Sequence, residues 1–162
     1  MKVVVPYAAG GGADTLSRLI FAKVQEDFGQ GFVIDNRGGG GGTIGANIAA
    51  KSAPDGYTIL HDATAFSVNP TLLPSLPYDT EKDFVPVFLA GVVPNLLVVH
   101  PGVEQKTVAE IIALAKATGV LDWASSGNGT VQHLALELFR AQAGIKLNHV
   151  PYKGGAPALN DL

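Results

Sequence analysis

Val3-Val4-Val5-Pro6-Tyr7-Ala8-Ala9-Gly10-Gly11-Gly12-Ala13-Asp14 decides the fold: a short apolar strand runs through a glycine turn into a helix. Three β-branched residues in succession suit a strand buried on both faces of a parallel sheet. Pro6 ends it, because proline cannot donate to the ladder. Gly10 to Gly12 let the backbone turn its N–H groups inward. A helix beginning near Asp14 has first-turn N–H groups with no partner inside the helix, so loop and helix end together attract a carboxylate or phosphate. Taken alone, the stretch is open to two readings: an anion cradle, or a tight strand-to-helix turn in which Asp14 only caps the helix.

The pattern recurs. Phe32-Val33-Ile34-Asp35-Asn36 runs into Gly38 to Gly42, and Leu121-Asp122-Trp123-Ala124 runs into Ser125-Ser126-Gly127-Asn128-Gly129-Thr130. Asn148-His149-Val150-Pro151-Tyr152-Lys153-Gly154-Gly155 repeats the Val-Pro-Tyr of residues 5 to 7. Four strand ends followed by small, donor-rich turns suggest two sheets whose carboxyl edges face one crevice, the place where open α/β folds bind ligands.

The elements between these turns follow from periodicity. Leu16, Leu19, Ile20, Val24 and Phe28 recur at helical spacing and Gly29 supplies a C-terminal stop. A second helix carries Ile44 and Ile48 inward, and Tyr57 to Leu60 reads as a third strand, so residues 1 to 61 give β-α-β-α-β, which right-handed crossovers make parallel. Asn69-Pro70, Pro74 and Pro77 allow at most one short helix in 62–83. Val85 to Val99 is a long apolar run broken by Pro86, Gly91 and Pro94, expected to supply crossover strands between a first lobe of 1–93 and a second of 94–162. Thr107-Val108-Ala109-Glu110 is a capping box. It opens a helix buried through Val108, Ile111, Ile112 and Ala115. Strand 121–124, a helix over 130–143 with Leu134, Leu138 and Phe139 inward, strand 145–150 and a helix start at 157–162 complete the chain.

Composition excludes several functions. With 47% apolar and 15% charged residues among 162, the chain can bury a real core as one domain or two small ones. No apolar run approaches membrane-spanning length. Met1-Lys2 leads straight into the strand, with no signal-peptide pattern in this chain. A net charge of −3 and only three arginines (Arg18, Arg37, Arg140) argue against nucleic acid as a partner. The absence of cysteine removes disulfides, thiolate catalysis and zinc-thiolate sites, and fits cytoplasm or periplasm.

Catalytic and cofactor motifs are weak. Gly40-Gly41-Gly42-Thr43-Ile44-Gly45 satisfies G-x-G-x-x-G, with Asp62 placed where a ribose-binding acid could sit, so the alternative reading is a dinucleotide-binding half of an oxidoreductase using the 38–45 loop. Any five-glycine run followed by a glycine at that offset matches it, however. Ser125 and Ser126 lack a nucleophile elbow. His133 and Glu137 share a helix face at metal-ligand spacing, without further partners. No metal or cofactor is expected.

Read in order, the residues resemble the Bug/TctC family, the extracytoplasmic solute receptors of tripartite tricarboxylate transporters. The segments that carry the resemblance are 4–14, Asp-Asn-Arg with its glycines (35–42), Ala-Pro-Asp-Gly-Tyr-Thr (53–58), Asn-Pro (69–70), Leu-Pro-Tyr-Asp with Lys-Asp-Phe (76–84), Ser-Ser-Gly-Asn-Gly-Thr with His133-Leu134, and Val-Pro-Tyr-Lys-Gly-Gly-Ala-Pro (150–157). The resemblance implies a type II, two-lobed periplasmic binding protein that closes on a small organic carboxylate and does no catalysis, with the membrane components of a tripartite transporter as partners. The implied site is Tyr7, Ala8, Ala9, Gly10, Gly11 and Asp14 in the first lobe, and Ser126, Gly127, Thr130, His133 and Tyr152 in the second. Two departures stand out. Gly38 replaces the proline usual after Asn-Arg, which predicts a looser loop, and family members are nearly twice as long, which predicts lobes lacking elements and a dimer, a swapped assembly or an inactive fragment that associates.

Overall fold

The computed structural model describes all 162 residues. Strand β1 (Lys2–Val5) is central, flanked by β2 (Val33–Asn36) and β3 (Thr58–Leu60) in a parallel sheet of order β2-β1-β3. Val3 pairs with Ile34 on one side and Ile59 on the other. Val3, Val4 and Val5 are fully buried, as a run of β-branched residues covered on both faces should be. Burying each contributes about 1.5–3 kcal/mol. Helix α1 (Gly12–Phe28) connects β1 to β2; its Phe21 joins Val3, Val5 and Tyr7 in the first core. A 3-10 turn at Gly40–Gly42 leads into α2 (Thr43–Ala50), and α3 (Ala65–Leu72) follows β3.

The second lobe begins with α4 (Val108–Thr118), opened by the capping box in which Thr107 accepts from the Glu110 N–H and Glu110 accepts from the Thr107 N–H. β4 (Leu121–Ser125), α5 (Val131–Ala143), β5 (Leu147–Pro151) and α6 (Gly155–Asn160) complete it. β4 and β5 pair in parallel. Their own core is Ala115, Leu136, Ile145 and Leu147, so each lobe has a separate core and a βαβ arrangement of its own.

Several faces differ from the periodic reading. Leu19 and Phe28 are exposed, and α1 buries Asp14, Ser17 and Phe21 instead, because polar Asp14 is needed inside to organise the glycine loop. Ile44 is exposed while Gly45 and Ala46 are buried. There α2 approaches β1 so closely that a Cβ at Gly45 would lie 2.7 Å from the Pro6 Cβ, and only small residues fit. Val108, Leu134 and Leu138 face outward, with Leu136 taking the core position. The crossover strands expected over 85–99 are absent: these residues form no ladder and are largely exposed. Pro86, Gly91 and Pro94 interrupt the run, and no neighbouring strand is present to pair with it.

Candidate functional site

The carboxyl ends of the two sheets face each other, and their glycine loops touch. The Ala8 N–H donates to the Lys153 carbonyl at 2.8 Å, the one hydrogen bond between the lobes. A Cβ at Gly38 would lie 2.7 Å from that same Lys153 oxygen, and one at Gly41 would lie 2.3 Å from the Asn128 carbonyl. Gly38 therefore permits a close approach between lobes, a stronger reason for glycine than the looseness expected from the missing proline. Gly39 to Gly42 all have positive φ, and Gly41 of their turn lies against the Asn128 carbonyl of the second lobe.

Asp14 organises the first loop. Its carboxylate, 3% exposed, accepts from the Gly10 N–H at 2.9 Å, from Arg18 Nε at 3.0 Å and from Asn36 Nδ2 at 3.0 Å. Burial alone would raise its pKa, but the bonds from Arg18, Gly10 and Asn36 together outweigh burial and hold it below its ordinary value. Asn36 also donates to the Tyr7 carbonyl at 3.1 Å. Asp14 thus faces its own loop, and the Gly10 N–H is already engaged. The Gly11 N–H contacts the Ala8 carbonyl at 3.4 Å. Ala9, Gly12 and Ala13 keep N–H groups with no acceptor in the protein, at the end of α1 where the backbone is most electropositive.

Tyr7 is 6% exposed and its hydroxyl donates to Asp62 Oδ1 at 2.9 Å. Burial, then the Asp62 charge, push the phenol above its ordinary value. Asp62 follows β3 at the same edge and also accepts from the Ala63 N–H at 2.7 Å. Its pKa is raised by burial to about 6, against the pull of these two donors.

In the second lobe, the 125–130 loop is braced internally. The Gly127 N–H donates to Ser125 Oγ at 3.1 Å, Thr130 Oγ1 donates to the Gly127 carbonyl at 2.7 Å, and Ser126 Oγ donates to Gln132 Oε1 at 2.7 Å. His133 Nδ1 accepts from the Gly129 N–H at 3.1 Å and its ring stacks on His149, centroids 4.1 Å apart. His149 Nε2 lies 2.5 Å from Ser125 Oγ; burial, then the His133 charge, lower its pKa. Tyr152 continues the strand through its N–H to the Ser125 carbonyl, and its hydroxyl bonds Asp161. Val131, Gln132 and His133 carry the unpaired first-turn N–H groups of α5. Sequence reasoning offers Asp62 only as a ribose contact and names Asn36 and His149 only within strand-end segments, giving none of them, nor Asn69, a binding role. Asn69, 1% exposed, donates to the Gly41 carbonyl and lies against Gly129.

All three arginines are committed elsewhere: Arg18 to Asp14, Arg37 to Asp35 at 2.7 Å, and Arg140 to Glu137. No group of His, Asp and Glu side chains is arranged to hold a metal, and no helix is long and apolar enough to cross a membrane.

Two parallel α/β lobes that meet at their carboxyl edges form an open α/β architecture with the loops of both sheets at one crevice. Residues 16–162 match the family described as "Tripartite tricarboxylate transporter family receptor", and the chain belongs to that family, one of receptors and not of enzymes. It is 42% identical over 160 residues to the UPF0065 protein in the tcbD-tcbE intergenic region of a Pseudomonas species, covering 98% of this chain and 48% of that protein. It is 39% identical to Protein BugT of Bordetella pertussis, covering 100% of this chain and 51% of that one. Among solved structures it superposes on the R. palustris protein Rpa4515 with adipate at TM-score 0.96 and 40% identity, covering all of this chain and 55% of that one. MatC from Rhodopseudomonas palustris with bound malate gives 0.87 and 33%, with 100% and 56% covered. The chain spans about half the length of the relatives it matches.

Proposed function

We propose that this chain forms the carboxylate-binding part of an extracytoplasmic, periplasmic solute receptor. It takes up a small organic acid between the two lobes, closes on it, and presents it to the membrane components of a tripartite transporter. The observation that carries this reading is the pairing of every arginine with an acid of its own lobe, while the N-termini of α1 and α5 offer unpaired backbone N–H groups at the facing edges. Such amides bind a carboxylate without a cationic clamp, each charge-assisted bond contributing roughly 1.5–3 kcal/mol. The adipate and malate held by two structural neighbours support the ligand class. The free donors would be the Ala9, Gly12 and Ala13 amides of the first lobe and the Val131, Gln132 and His133 amides of the second, joined by the Ala8 amide once it leaves the Lys153 carbonyl, with Tyr7, Gly11, Ser126, Gly127 and Thr130 shaping the loops around them. Asp14 and Tyr152 would support the loops behind them. The lobe boundary would fall near residue 93.

A thermal-shift and calorimetric panel of succinate, malate, adipate, glutamate, citrate, aromatic acids and NAD tests it, since a ligand of the native state raises stability by mass action. Stabilisation by at least one acid and none by NAD is expected. Stabilisation by NAD alone, or by nothing in the panel, would overturn the reading.

A further inference from the structure

The crevice holds one acid that the family reading leaves without a role. Asp62 lies at the carboxyl edge of β3, half-buried, on the same edge as the Tyr7-to-Gly11 loop. Both of its donors, the Tyr7 hydroxyl and the Ala63 N–H, fall on Oδ1. Oδ2 has no partner in the protein and is not sealed from solvent. Gly42 adjoins the pair: a Cβ there would be in ordinary contact, 3.5 Å from Oδ1, 3.6 Å from Oδ2 and 3.5 Å from the Tyr7 hydroxyl, next to the Gly41 contact with the opposite lobe. No lysine or arginine pairs with Asp62. The titratable groups around it are Tyr7 of the loop after β1, His61 of its own segment, whose ring turns edge-on to Phe21, and Tyr78. A carboxylate fixed on one oxygen and open on the other, with no countercharge, is a hydrogen-bond acceptor awaiting a donor.

We propose that Asp62, positioned by Tyr7, is a specificity-determining residue: its Oδ2 accepts a hydrogen bond from an ammonium or hydroxyl group on the bound acid, so the crevice selects amino- or hydroxy-substituted carboxylates over unsubstituted ones. This deepens the reading above and rests on it. Backbone amides would hold the carboxylate common to all candidate acids and so cannot tell them apart. Asp62 touches only what differs. It favours an ammonium by charge, a hydroxyl by hydrogen bonding, and sets a like charge against any carboxylate brought near it.

The test uses matched acids that differ in one substituent, measured by calorimetry on the 162-residue chain: succinate, malate and aspartate, then glutarate, 2-hydroxyglutarate and glutamate. The wild-type chain is expected to bind a substituted acid about tenfold or more tighter than its unsubstituted counterpart, the ammonium and hydroxyl arms identifying which donor is used. Asp62→Asn keeps an acceptor for Tyr7 and Ala63 but turns the free oxygen into a donor, and is expected to abolish the preference for the amino acid, whose ammonium cannot accept, while Asp62→Ala removes the partner of either substituent. Should Asp62→Asn not fold, Asp62→Ser and a wild-type titration from pH 7.5 to 5 replace it. The preference must then fall as the carboxyl, with its pKa of about 6, takes up a proton. Equal affinity for all three members of each series, an ammonium preference unchanged in Asp62→Asn, or a hydroxyl preference unchanged in Asp62→Ala overturns this proposal and leaves the receptor reading standing. Binding of none of the acids overturns both.

Discussion

Replacing Asp14 by alanine removes the acceptor on which the first glycine loop is built, and the cost can be worked from its partners. The Gly10 N–H and Asn36 Nδ2 each lose a charge-assisted bond in a part-buried setting, about 1–2 kcal/mol apiece. The Arg18 bond counts for less, at most about 1 kcal/mol, because the arginine side chain is 53% exposed and screened. Asp14→Ala is therefore expected to lower stability by about 2–5 kcal/mol, a large part of the total for a small domain. Asp14→Asn, which keeps one oxygen, should lose roughly half of that. The pH dependence fixes the cause. A carboxyl whose folded pKa lies below its ordinary 3.8 contributes stability that is present above that value and is lost as pH falls through the lower folded value. Urea unfolding at pH 7 and again at the lowest pH where the chain still folds should show the gap between wild type and Asp14→Asn narrowing with acid. A cost below about 0.5 kcal/mol for Asp14→Ala, or a gap independent of pH, would refute this account of the loop.

Asp62 carries the opposite sign. Its carboxyl is raised to about 6, so the protonated form is the one the fold favours, and stability is lost as pH rises from about 4 through 6. Ligand-free Asp62→Asn should be more stable than wild type at pH 7 by on the order of 2–3 kcal/mol, with the gain vanishing near pH 4; thermal melts across that range check it. Gly41→Ala places a Cβ 2.3 Å from the Asn128 carbonyl at φ +61, and should separate the lobes, seen as a larger radius in small-angle scattering and weaker carboxylate binding. An unchanged radius would mean the loops yield locally. The apolar run from Val85, 87% exposed, to Val92, 86% exposed, and Leu96, 82% exposed should drive association. Light scattering coupled to gel filtration is expected to show a dimer or larger species at micromolar concentration, reduced by Leu89→Lys with Leu96→Lys; a monomer at that concentration contradicts it.

The parts of the fold legible in the sequence are those set by local chemistry. Val3 to Val5, the Gly29 helix stop and the Thr107–Glu110 capping box depend on residues within a few positions of one another, and each is where the pattern put it. Helix faces were read less well. Which side of α2 is buried depends on how close Pro6 comes to Gly45, a distance no periodicity contains. For Leu134 and Leu138 the apolar spacing was real, but the two-stranded sheet under α5 is narrow and leaves them uncovered. In the site, the glycine loops were visible as loops. The Asp14–Asn36 bond joins residues 22 positions apart, and Tyr7–Asp62 joins residues 55 apart; only the parallel register of β1 with its neighbours brings them to one edge. The signal available for Asp62 was its place directly after a strand end, which the sequence offered only as a ribose contact.

The way the lobes meet bears on how such a chain can bind at all. No buried core residue is shared between them, and one backbone hydrogen bond, Ala8 to Lys153, joins them. Such a bond contributes about 0.5–1.5 kcal/mol net. The other close approaches set Gly38 and Gly41 against carbonyls of the second lobe, Gly129 against Asn69, Val68 and Leu72 of α3, Gly10 against Ala156, and Gly154 against Ala8. An acid that replaced the Lys153 carbonyl as acceptor for the Ala8 N–H, and bonded the α5 amides as well, would outweigh that single contact with two or three charge-assisted bonds. The ligand would then be the main connection between the lobes. Residues 85–99, which form no ladder and are largely exposed, are the covalent link. Binding and lobe apposition would therefore be one equilibrium: Gly38→Ala, which crowds Lys153 at 2.7 Å, should weaken every acid by a similar factor, whereas Asp62→Asn should change only the ranking among them.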